Sequence, residues 1–207
     1  MALLRCPAPH ELSPLVTVAI RREGDRLMEA TMGCSVCRAE YGLRDGVAYL
    51  GVGGLDRSLE RDAPIDPMRI AALLGLGDPG ARVMLCGTVG AAAETLETVT
   101  GALCVVINAP SAGDTCEWGD QLVIGISRTI PLASASLHGV AVDSAHVALL
   151  PDAARVVRVG GRVVAPAHAP VPAGCRELAR DALEWVAEVE LSVSAPVGLQ
   201  LGRPSTR

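Results

Sequence analysis

The stretch Val83-Met-Leu-Cys-Gly87-Thr-Val-Gly90-Ala91 decides the fold. Its apolar first half reads as a buried strand, and the glycines after it mark a turn into a helix. Outward from this unit the same alternation repeats. Strands are expected at residues 82–86, 102–108, 121–126, 139–142, 162–165 and 189–193, with a last one near 197–201. Helices are expected at residues 91–99, 146–157 and 176–187, the last with Leu178, Leu183, Trp185 and Val186 facing the sheet. A further helix begins at Asp66-Pro67, with Asp66 as N-cap, Pro67 in the first turn and Gly75 or Gly77 as its stop. Strands alternating with helices predict an α/β fold, a Rossmann-like and mostly parallel sheet covered on both faces. Ligands of such sheets bind beyond the strand C-termini, at the topological switch point, so Gly87 and Gly90 mark the candidate cofactor turn.

Upstream, two clusters stand out: Cys6-Pro-Ala-Pro-His10 and Cys34-Ser-Val-Cys37. Between them Leu15-Val-Thr-Val-Ala-Ile20 and Leu27-Met-Glu-Ala-Thr31 flank Arg22-Glu-Gly-Asp25, which predicts a hairpin. A hairpin brings its two ends together, so Cys6, His10, Cys34 and Cys37 become candidate zinc ligands in a small β-rich unit. Loss of the metal, leaving Cys34 and Cys37 as buried thiols or an incidental redox pair, is the competing reading. Gly51-Val-Gly-Gly54 and the charged stretch after it read as a boundary. The expected organisation is a zinc-ribbon-like domain at 1–50, a linker at 51–65 and an α/β domain at 66–207.

Composition narrows the function classes. The 207 residues carry a net charge of −5 and every basic side chain other than His is an Arg, and nothing in that balance indicates an electrostatic grip on nucleic acid. Half of the residues are hydrophobic and mean hydropathy is +0.36, yet no apolar run reaches the length of a membrane span. No signal peptide is legible, and a cytoplasmic protein is expected. Seven Cys in such a chain argue for metal or buried thiols before disulfides. With no Phe, the core must be aliphatic, and apolar surface covered by a protein partner or a second copy is expected.

Two resemblances add to this. Leu4-Arg-Cys6-Pro7, the later Cys34-Ser-Val-Cys37 and Tyr41-Gly-Leu-Arg-Asp45-Gly46-Val47-Ala-Tyr49 resemble the zinc-ribbon family that activates methyltransferases, departing from it where Pro9 replaces a Cys. From about Asp66 to Arg203 the chain resembles the class I S-adenosylmethionine (SAM) methyltransferases. Ile130-Pro131-Leu-Ala-Ser-Ala-Ser136-Leu137-His138-Gly139-Val140 and Val157-Arg158-Val-Gly160-Gly161-Arg162-Val-Val-Ala165-Pro166 carry the likeness, together with the glycine turn.

That resemblance implies a SAM site at Gly87, Gly90 and Asn108, but a degenerate one. Aligned without a gap, Gly87 is the first glycine of the loop and Val89 and Ala91 stand at the other two; with one inserted residue Gly87 and Gly90 become the second and third. Leu85 stands where the family has an acid in the first strand, Asn108 where a carboxylate meets the ribose, and Ile126 where an Asp meets adenine. Later aspartates become Ser134 and His138, and residues 108–121 are short for a second crossover helix. Each lost charged hydrogen bond costs about 1.5–3 kcal/mol. The expectation is a non-catalytic protein of this fold serving as a structural or regulatory subunit. One alternative is an active SAM-dependent methyltransferase acting on a small molecule through a rearranged pocket, and another is an activator of a separate enzyme. No residue is assigned to catalysis; Asp143 and His146, after the fourth strand, are the candidates, and capping of the following helix competes with that role.

Overall fold

The computed structural model describes residues 3–24, 26–51, 65–109, 122–126 and 129–191. Helix α1, Pro67–Leu74, forms because both of its ends are sealed locally. The Asp66 carboxylate accepts from the amides of Met68 and Arg69 at 2.9 and 3.3 Å, Pro67 opens the first turn, and Gly75 closes the helix at φ 66°. The amides of Gly75 and Leu76 return to the carbonyls of Ala72 and Ala71.

Eleven strands make one sheet: β1 Leu15–Glu23, β2 Arg26–Cys34, β3 Glu40–Arg44, β4 Val47–Tyr49, β5 Arg82–Cys86, β6 Leu103–Ile107, β7 Leu122–Gly125, β8 Leu137–Val142, β9 Val157–Pro166, β10 Cys175–Arg180 and β11 Glu184–Val189. Their order is β1-β2-β3-β4-β7-β6-β5-β8-β9-β11-β10. From β7 through β6 and β5 to β8 and β9 all pairings are parallel. The chain therefore steps outward from β5 to β7, then crosses back to β8, which is the 3-2-1-4-5 order of a doubly wound sheet. The switch point lies between β5 and β8.

Side-chain alternation along β5 separates two cores. Met84 and Cys86 belong to one layer, with Ile107, Ile124, Val140, Leu149, Leu150 and Trp185. Val83 and Leu85 belong to the other, with Ile70, Leu74, Leu96, Val106 and Ala141. Helices α1 and α2 (Ala93–Thr100) supply residues to the second layer, and α3 (Leu150–Val156) supplies the first. Both faces of the parallel strands are covered, as the sequence pattern requires.

The N-terminal segment is part of the same sheet. β1, β2, β3 and β4 form an antiparallel meander, with Asp45 and Gly46 both at positive φ in the β3–β4 turn. β4 then pairs in parallel with β7, matching Val47 to Val123, Ala48 to Ile124 and Tyr49 to Gly125. Ahead of β1, Leu4 bridges Leu132, the Arg5 amide donates to the Pro131 carbonyl at 2.8 Å, and the Ala133 amide donates to the Leu3 carbonyl at 3.0 Å. Leu4, Cys6, Leu15, Met32 and Leu43 share a core with Met84 and Ile107.

One expected helix is absent. Residues 176–187 form the β10–β11 hairpin instead, and the strand expected at 189–193 ends where β11 does, at Val189. The Asp181 side chain accepts from the amides of Leu183 and Glu184 at 2.8 and 3.0 Å, turning the chain where a helix would have continued. Antiparallel pairing of β11 with β9 then buries Trp185, whose indole donates to the Ala169 carbonyl at 2.8 Å. Leu183 is left 69% exposed and Leu178 37%, so neither faces the sheet as the helical pattern required. The strand expected near 197–201, most of the expected linker, the 110–121 segment with Trp118, and Asp25 lie outside the described residues.

Arg155, though charged, is 4% exposed. Its guanidinium donates to the carbonyls of Leu132 and Ile130 at 2.9 and 2.8 Å and to Asp152 at 2.5 Å, fixing the chain ahead of β8. Arg155→Met should lower unfolding free energy in urea by about 3 kcal/mol or more, since it strands a carboxylate and two carbonyls. Arg158→Met, at an exposed position, should stay within about 0.5 kcal/mol of the parent.

Candidate metal centre and switch-point crevice

Cys6 follows the short N-terminal pairing to Leu132, His10 lies in the loop before β1, Cys34 ends β2 and Cys37 sits in the turn before β3. The hairpin does what the sequence predicted of it: the four ligand atoms all lie within 4.8 Å of one another. A tetrahedral zinc with Zn–S near 2.3 Å and Zn–N near 2.05 Å has edges of about 3.8 Å between sulfurs and about 3.5 Å between sulfur and nitrogen. The Cys6 and Cys37 sulfurs are 3.7 Å apart, and the Cys34 sulfur is 3.5 Å from His10 Nε2. The donor set and its spacing fit zinc. His10 fills the corner that Pro9 leaves empty.

The ligands are braced from outside. His10 Nδ1 lies 2.6 Å from the Glu11 carbonyl, which fixes Nδ1 as the protonated nitrogen and leaves Nε2 free to ligate. The Cys37 amide, with that of Val36, pulls the Cys34 thiol down to about 6 against the effect of burial. Burial pushes the Cys6 thiol up, and the Tyr41 hydroxyl, 3.3 Å from its sulfur, works the other way. Tyr41 is a contact that the ligand-spacing argument missed; its place four residues after Cys37, at the head of the stretch Tyr41-Gly-Leu-Arg-Asp45, was the signal in the sequence.

At the C-terminal end of β5 the chain turns through Gly87, φ 72°, into a short 3-10 helix at Gly87–Ala92. Asp143, just past β8, reaches across the switch point to this turn. One carboxylate oxygen accepts from the Thr88 amide at 2.8 Å and from the Thr88 hydroxyl at 3.2 Å. The other oxygen meets the His146 amide at 3.1 Å and His146 Nδ1 at 2.6 Å. A Cβ on Gly87 would stand 2.0 Å from that carboxylate and 2.6 Å from His146 Nδ1, so no other residue fits there. A Cβ on Gly90 would meet Val106 at 2.5 Å. Thr88, which the sequence reading passed over, thus shares Asp143 equally with His146.

The other residues considered from the sequence are placed differently from one another. Asn108 follows β6 at φ 49°, and its side-chain oxygen accepts from the Ile126 amide at 2.8 Å. Leu85 and Cys86 are fully buried, and burial with Asp143 nearby pushes the Cys86 thiol well up, away from reactivity. His138 lies at the opposite end of the sheet, where Nδ1 accepts from the Arg82 amide at 3.0 Å. His168 is exposed.

With this geometry described, known proteins can be set beside it. No family model matches the sequence, and no curated protein matches it. Solved structures do match. A geranyl diphosphate methyltransferase in complex with SAM aligns at 16% identity over 48% of this chain and 46% of its own, TM-score 0.39. A complex between the Haloferax volcanii Trm112 methyltransferase activator and a methyltransferase aligns at 17% identity over 48% and 50%, TM-score 0.38. The antibiotic-resistance methyltransferase Kmr aligns at 14% identity over 62% and 94%, TM-score 0.38. This chain spans about half the length of the first two.

Two predictions follow from the site. The purified protein should carry close to one zinc per chain by plasma mass spectrometry, and Cys34→Ser should lose most of it. The Asp143 carboxyl is held below its ordinary value: burial alone would raise it, but the hydrogen bonds from His146 and the Thr88 amide outweigh burial. Its stabilising contribution is complete above the unfolded-state value of 3.8 and disappears as pH falls through the lower folded-state value. Acid unfolding of Asp143→Asn, followed by circular dichroism, should therefore depend less steeply on pH below about 4 than that of the parent.

Proposed function

We propose that this chain is a SAM-methyltransferase-type protein that does not use the cofactor and serves as a structural or regulatory subunit through protein contacts, with zinc fastening its N-terminal segment. The observation that carries this reading is the Asp143 carboxylate. It takes the first amide of the glycine turn and stands in the space above Gly87, where a ligand's own charged end would have to enter. The Asn108 oxygen that replaces a ribose-binding carboxylate is taken by the Ile126 amide. Leu85 and Ile126 offer no polar side chain. The residues present do not fit SAM, because the groups it would need are aliphatic or already hydrogen-bonded within the chain.

Two further features support a subunit role. The six described cysteines are free thiols, which suits the metal site that would fasten the N-terminal segment. At one edge of the sheet, Val16, Val18 and Ile20 in the first half of β1 are each more than 60% exposed, while the second half carries Arg21 and Glu23 in an ion pair. The exposed apolar half of this edge strand suits a partner on the β1 side. Among the described residues no helix is long and apolar enough to cross a membrane.

Isothermal titration calorimetry with SAM and with S-adenosylhomocysteine tests the reading. No heat of binding is expected at ligand concentrations up to several hundred micromolar. A low-micromolar Kd for either ligand would restore the alternative, an active methyltransferase with a rearranged pocket.

A further inference from the structure

We propose that the metal centre has a fixed side and an open side, with Tyr41 as the positioning residue of the fixed side and Cys37 as the ligand through which the ion enters and leaves. The proposal rests on the reading of Cys6, His10, Cys34 and Cys37 as a zinc site. Three of the four ligands are held by groups outside the set. Cys6 is fully buried, and its sulfur lies 3.3 Å from the Tyr41 hydroxyl. A hydroxyl turns freely about its C–O bond, so beside a metal-bound thiolate it points its proton at sulfur. Tyr41 cannot swing away easily, because its backbone is paired with buried Met32 in the β2–β3 ladder. His10 is oriented by the Glu11 carbonyl at 2.6 Å. Cys34 is buried, its amide donates to the Ala39 carbonyl at 2.9 Å, and its carbonyl accepts from the Arg38 amide at 3.0 Å.

Cys37 differs in every one of these respects. It is exposed and stands in the turn between β2 and β3, next to the half-exposed Val36 and to Arg38 at φ 60°. Among the described residues, its sulfur meets only other members of the ligand set. Outer-shell partners commonly govern metal affinity by ten- to a hundred-fold, so a thiolate without one is the weakest link to the ion. The arrangement is that of an exchangeable centre: three ligands stay in place while the fourth opens toward solvent, where a competing thiol or chelator can reach the metal.

Cobalt(II) and zinc(II) test this on the full chain. Competitive titration should show Tyr41→Phe binding cobalt about ten- to a hundred-fold more weakly than the parent, with the intense visible bands of tetrahedral coordination retained. On the zinc-loaded parent, timed alkylation with iodoacetamide and peptide mapping should find Cys37 modified before Cys6 and Cys34, with zinc release keeping pace with Cys37. Unchanged cobalt affinity in Tyr41→Phe, or equal alkylation rates at the three thiols, overturns the proposal while leaving the metal site itself intact. A parent protein that binds neither ion removes the metal reading and this proposal together. Should Tyr41→Phe lose its fold by circular dichroism, the order of alkylation in the parent decides alone.

Discussion

Strand β5 sets the terms for the rest of the molecule. Val83, Met84, Leu85 and Cys86 are fully buried, so every backbone amide and carbonyl between them must be satisfied by a neighbouring strand. β6 on one side and β8 on the other meet that demand, both in parallel. Parallel neighbours need crossovers, and the crossovers bring α2 and α3 onto the sheet. The same arrangement forces the chain to turn sharply where β5 ends, which is why the only residue tolerated there is Gly87.

What fills that turn is a side chain of the chain itself. A switch-point crevice with free amides attracts an anion. Here the anion is built in: Asp143 bonds to the amide and hydroxyl of Thr88, and its other oxygen is held by His146. The carboxylate is only 8% exposed, so its charge is balanced by hydrogen bonds and not by water. The carboxylate thus links the end of β5 to the end of β8 across the switch point.

The N-terminal segment is tied down at two levels. Its backbone continues the sheet through the β4–β7 pairing, and its side chains enter the same apolar layer as β5 and β6. The Cys and His cluster stands where three pieces of that segment converge: the stretch ahead of β1, the end of β2 and the turn into β3. A metal there would crosslink those three pieces, which is the usual way small β-rich units gain stability.

The sequence by itself determined the local pieces. Asp66, Pro67 and Gly75 fix α1 because capping is decided within a few residues, and the apolar run before Gly87 fixes β5 because nothing else can bury it. The hairpin between the Cys clusters was legible for the same reason, and with it all four candidate ligands. Only the tertiary structure decided the rest. Residues 176–187 carry a helical pattern, yet the Asp181 turn and pairing with β9 make them a hairpin, since burying Trp185 against the sheet outweighs a weak helix preference. Whether the glycine turn stays open was equally invisible, because Thr88 and Asp143 are 55 residues apart in the chain and meet only once β5 and β8 lie side by side.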